Sequence, residues 1–134
     1  MGTADREVVR AVLDAWNRRD VEAAAALCDP EIEYVNPPNA LEPGTRRGLD
    51  EMRMVVSKQW EFMGDAWQEI VALHERGERI ISEVKVSRTM PGSEATIENR
   101  ILSAWTVRDG LVRRLEVLGG GSEFEAAREA AGLG

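Results

Sequence analysis

The chain has 134 residues, 43% hydrophobic and 31% charged, so it suits one globular domain and excludes a disordered chain, which would be poorer in apolar residues. Its formal charge of -7 leaves no basic footprint for neutralising phosphates, and no apolar run approaches the roughly 20 residues of a membrane span. The single Cys28 and single His74 exclude an internal disulfide and a His/Cys zinc cluster within one chain; with no signal-peptide pattern at the start, a cytoplasmic protein without metal or cofactor is expected.

Asp5 is expected to cap a first helix whose apolar positions Val8, Val9, Val12, Leu13 and Trp16 follow 3.6-residue spacing. Asp20 caps a second, alanine-rich segment over 21–27, which Asp29-Pro30 stops. Ile32, Tyr34 and Asn36 share one face of a first strand, because residues two apart point the same way. Two polar groups thus sit where an apolar face would be expected, as in the wall of a pocket. Pro37 ends the strand, and 37–47 reads as a loop with a turn at Pro43-Gly44.

A third helix is predicted over 49–63, with Met52, Val55, Val56, Trp60 and Met63 on one stripe. Four strands follow, over 67–75, 78–89, 95–107 and 111–118. They are separated by Arg76-Gly77, by a loop from Met90 to Glu94, and by Asp109-Gly110, a strong hairpin signal. Gly119 to Gly121 breaks the last strand, and Ser122 is expected to cap a short final helix with Glu125 three residues on. Helices followed by an antiparallel meander make an α+β fold in a single domain over 1–134.

Several strings resemble the SnoaL-like branch of the nuclear transport factor 2-like superfamily. They are Ala15-Trp16-Asn17-Arg18-Arg19-Asp20, Tyr34-Val35-Asn36-Pro37-Pro38, Glu42-Pro43-Gly44-Thr45-Arg46-Arg47-Gly48, Ala104-Trp105-Thr106-Val107-Arg108-Asp109-Gly110, and Glu125-Ala126-Ala127 through Leu133. The resemblance implies a cone: three N-terminal helices against a strongly curved antiparallel sheet, a short C-terminal helix, and a deep pocket between helices and sheet. It also implies a homodimer and a small hydrophobic or polyketide-like ligand; the acidic charge and the lack of a long apolar run argue against nucleic acid and membrane as partners.

The catalytic sets of relatives do not carry over whole. The ketosteroid isomerase base position falls on Asn36, and its oxyanion donors fall near Val12 and Ser103; an amide cannot abstract a proton. The limonene epoxide hydrolase Tyr-x-Asn is similar to Tyr34-Val35-Asn36, whereas its Arg-x-Asp falls on Glu83-Val84-Lys85 and its final-strand Asp near Val117. The resemblance therefore makes Tyr34, Asn36, Glu83 and Lys85 the candidate catalytic residues. Trp16, Trp60, Asn99, Ile101, Ser103, Trp105 and Val117 are the candidate ligand-binding residues.

Strand alternation leaves one matter open. Glu83 and Lys85 share a face opposite Val84 and Val86, so either the charged pair lines the pocket or the valines do. In the first case Glu83 and Lys85 supply acid-base chemistry of isomerase, cyclase or hydrolase type. The alternatives are a non-catalytic carrier or sensor and a dimeric association module.

Overall fold

A computed structural model describes residues 2–38, 40, 43–89 and 92–133, the first two by backbone alone. Glu42 of the quoted loop motif and Met90 of the predicted turn lie outside them. The elements in order are α1 (Gly2–Asn17), α2 (Val21–Ala25), β1 (Cys28–Asn36), β2 (Gly44–Arg47), α3 (Leu49–Met63), β3 (Trp67–Arg76), β4 (Arg79–Thr89), β5 (Thr96–Arg108), β6 (Leu111–Gly120) and α4 (Phe124–Ala130).

The sheet order is β2-β1-β6-β5-β4-β3. Strands β3 to β6 form the expected antiparallel meander, and β2 pairs antiparallel with β1. The pairing of β1 with β6 is parallel, with Tyr34 beside Leu115, so the sheet is antiparallel except at that one junction. Register shifts at Ile70/Ala72, Leu102/Ser103 and Thr106/Val107 bend the long strands, as an extra residue on one side of a ladder does.

The helices lie on the concave face because their apolar stripes must be covered. Val9, Val12, Leu13 and Trp16 of α1 and Met52, Val55 and Val56 of α3 are buried against Ile32, Ile80, Val84, Trp105 and Leu115. Each such side chain contributes about 1.5–3 kcal/mol of burial. Helix α2 is capped as predicted, with Asp20 Oδ1 accepting from the Ala23 N–H at 3.0 Å. At the β5–β6 hairpin both Asp109 (φ 55°) and Gly110 (φ 77°) take the left-handed conformation that a tight primed turn requires.

The ends of elements differ from expectation in several places: helix α2 stops at Ala25, and Asp29-Pro30, expected to stop it, lie inside β1. Helix α1 begins at Gly2, so Asp5 sits in its first turn instead of capping it. Strand β2 occupies the end of the segment read as loop. Ser122 does not cap α4: it lies in a single 3-10 turn over Gly121–Glu123, and the cap position falls on Glu123 without a side-chain hydrogen bond. Finally, β6 runs through Gly119 and Gly120 where a break was read. A Cβ on Gly119 would stand 3.0 Å from Ala127 Cβ and 3.2 Å from the Glu123 carbonyl oxygen. Gly119 lets α4 settle closely on the convex face, over Ile81, Leu102 and Ala104.

Candidate functional site

Between helices and sheet lies a cavity of about 280 Å³. Its floor is aromatic. Trp16 from α1 stacks on Tyr34 from β1 (centroids 6.3 Å apart, planes at 30°) and tilts against Trp105 from β5 (6.3 Å, 43°). The walls come from Val84 and Val86 of β4, Ile101 and Ser103 of β5, Leu115 and Val117 of β6, and Gln59, Phe62 and Met63 of α3. Asn36 at the end of β1 and Gln68 at the start of β3 complete it, with Ala40.

The buried polar groups divide between the two faces of the sheet. Asn36 (5% exposed) and Ser103 (7%) are on the cavity wall, and Ser82, just behind it, accepts the Trp105 indole N–H at 2.9 Å. Tyr34 donates its hydroxyl to Gln59 Oε1 at 3.2 Å. Burial pushes the Tyr34 phenol up to about 12, a rise that the Gln59 hydrogen bond only partly offsets, so it is a neutral donor at ordinary pH. The Trp16 indole N–H is buried and has no partner among the described residues. No carboxylate, imidazole, ammonium or guanidinium lines this cavity among the described residues.

The register decides which of the two expectations for β4 holds. Val84 lies beside Ile101 and Ser82 beside Ser103, all toward the cavity, while Ile81 is buried on the convex side under α4. Glu83 and Lys85 therefore point away from the cavity, because the apolar valines take the interior and the alternation sends the charges outward. Lys85 stands at the surface, 3.7 Å from a Glu69 oxygen and 3.4 Å from a Glu98 oxygen.

Glu83 is buried nonetheless, at 6% exposed. His74 Nε2 lies 2.6 Å from one of its oxygens, and Arg128 Nε from α4 donates to the other at 2.8 Å. A carboxylate only accepts, so His74 carries its proton on Nε2 in this contact. Burial pushes the Glu83 carboxyl up, but the hydrogen bonds from His74 and Arg128 and their charges outweigh it and hold the carboxyl below its ordinary value.

Of the candidate ligand-binding residues, Trp16, Ile101, Ser103, Trp105 and Val117 meet in the cavity with Tyr34 and Asn36. Two do not. Trp60 packs on the edge of the core beneath the Arg19 guanidinium, whose carbon is 5.6 Å from the ring centroid. Arg19 donates there to the carbonyls of Trp16, Gly64 and Ala66, so it braces a helix end where a solvated charge would be expected. Asn99 lies beyond the cavity, on an adjoining hollow at its rim. Gln59, absent from the candidates, carried a usable signal: it falls four residues after Val55 and three after Val56, a polar residue on an apolar stripe.

An α+β cone whose helices and curved sheet enclose a largely apolar cavity, uncharged among the described residues, is the class that this geometry defines. The chain belongs to the SnoaL-like domain family, whose model matches residues 9–115. Among solved structures it is similar to TerC, co-crystallized with polyporic acid, at 21% identity over 94% of this chain and 98% of that one, with a TM-score of 0.76. An NTF2-like protein of Burkholderia thailandensis is 24% identical over 90% and 92% of the two chains, with a TM-score of 0.72. A SnoaL-like polyketide cyclase candidate from Jannaschia sp. CCS1 is 13% identical over 86% and 84%, with a TM-score of 0.73. These identities speak for the fold alone. No curated protein matches the sequence.

Proposed function

We propose that the cone binds a small hydrophobic or polyketide-like molecule carrying a few oxygens, held inside the cavity by shape and by neutral hydrogen bonds. The observation that carries this reading is the pairing of an aromatic floor with Tyr34, Asn36, Gln59 and Ser103 and no charged wall group among the described residues. Apolar pockets with a few fixed polar groups are the usual design of a small-molecule site. The cyclase candidate among the relatives supports the polyketide-like side of this reading, and the polyporic acid named for TerC its hydrophobic side. Tyr34, whose one proton goes to Gln59, offers its oxygen as an acceptor to a ligand hydroxyl, and the Asn36 amide lies on the same wall; neither is a base at neutral pH. Glu83 and Lys85, on the other face, have no part in this reading.

A carrier or sensor role is the second reading, favoured by the uncharged wall. Titration with polyporic acid, followed by quenching of tryptophan emission, tests the proposal. Saturable quenching is expected, weakened by about tenfold or more in Ser103→Leu, which fills the cavity while the melting temperature stays near that of the parent. Absent quenching, or equal affinity in the filled variant, would refute it. Recovery of the ligand after long incubation tests the second reading: a carrier or sensor returns it unchanged, and conversion to a product would overturn that role.

A further inference from the structure

The inner face of β4 continues past Val84 and Val86 to Arg88, and that of β5 runs back from Ile101 through Asn99 to Ile97, which pairs with Arg88 in the ladder. These residues frame a second hollow of about 330 Å³. It shares Phe62, Met63, Val86 and Ile101 with the inner cavity, so the two adjoin. Phe62 is 63% exposed and Ile97 37%, leaving apolar surface uncovered at this rim.

Arg88 is the charged group of the hollow. Its guanidinium carbon lies 5.4 Å from the centre of the Phe62 ring, and it forms no ion pair among the described residues. Arg6, Arg18, Arg47, Arg53 and Arg128, by contrast, each meet a carboxylate. Asp65, at the same end of β4, accepts the Thr89 backbone N–H at 3.4 Å. An aromatic ring holds a guanidinium in position without saturating its donors, and those donors match a carboxylate's two oxygens.

We infer that the ligand is an amphipathic organic acid, its apolar body in the inner cavity and its carboxylate at Arg88. The inference rests on the cavity reading above and adds the charge and the orientation of the ligand. Among the described residues the molecule meets neutral donors and acceptors inside and the Arg88 cation at the rim, on a protein of net charge -7.

The test uses biphenyl-4-carboxylate and its methyl ester, titrated by calorimetry into the parent protein, Arg88→Gln and Arg88→Lys. At low salt the acid is expected to bind about tenfold more tightly than the ester. The preference should vanish in Arg88→Gln, persist in part in Arg88→Lys, and shrink as salt rises. Ester affinity should change far less than acid affinity across the three proteins. If acid and ester bind the parent equally, or Arg88→Gln keeps the preference, the inference is overturned while the cavity reading stands. If neither compound binds, both fall.

Discussion

The two faces of the sheet solve the problem of buried polarity in opposite ways. On the convex face a carboxylate is sealed under α4 with both oxygens engaged, by His74 and Arg128. The concave face carries no charge among the described cavity residues, and there the buried Trp16 indole N–H has no partner among them. A saturated ion cluster ties elements together and has nothing left for a ligand. Neutral groups with spare capacity can receive one at small desolvation cost. Charge in a strand centre is thus a poor guide to the site of this fold, and a satisfied charge is the poorest.

The contrast can be broken most directly at Glu83. Glu83→Gln should lower stability by about 2 kcal/mol, since hydrogen bonds to charged groups contribute more than neutral ones. In a domain of this size that is roughly 5–10 °C in thermal melting. Because folding lowers the carboxyl from its ordinary value of 4.5, its contribution is present above that value and lost as pH falls through the lower folded one. The parent should therefore lose stability on acidification more steeply than the variant, while ligand affinity stays equal in the two. A loss below about 0.5 kcal/mol would put Glu83 among the solvated charges.

Ser82→Ala is the corresponding cut behind the concave face. It strands the Trp105 indole N–H, and a loss of about 1.5 kcal/mol in denaturant unfolding is expected. Full stability would mean that this face tolerates an orphaned donor here as it does at Trp16. Lys85→Gln should change least, within about 0.5 kcal/mol and with no effect on ligand affinity, because its ion pairs are long and solvated. Any loss of binding in that variant would reopen β4 as part of the site.

The meander, α3 and the Asp20 cap were legible because each is written locally, in alternation, stripe or capping residue. Strand β2 was not, because Gly44-Thr45-Arg46-Arg47 has no apolar alternation and exists only as a partner for β1. The parallel junction of β1 with β6 was equally hidden, being a matter of distant residues. Tyr34 and Asn36 could be read as wall residues since polar groups interrupted a packed face, whereas Ser103 and Trp105 were placed inward by the resemblance. The parity of β4 could not, because Ile81, Glu83 and Lys85 are covered in part by a helix that the strand's own residues do not announce. Arg88 showed no signal at all in sequence: what marks it is the company it lacks.

The parallel junction also sets an order of assembly. Tyr34 cannot meet Leu115, nor Val112 donate its N–H to the Leu27 carbonyl (2.9 Å), until the whole meander between them has been made and folded back. Contacts so distant in sequence are slow to form, and closing a long loop costs entropy before any burial offsets it. The aromatic floor, drawn from residues 16, 34 and 105, stays exposed until that closure. In this chain the cavity is among the last features to come into being, and its oily lining is what the nascent protein must keep from other surfaces meanwhile.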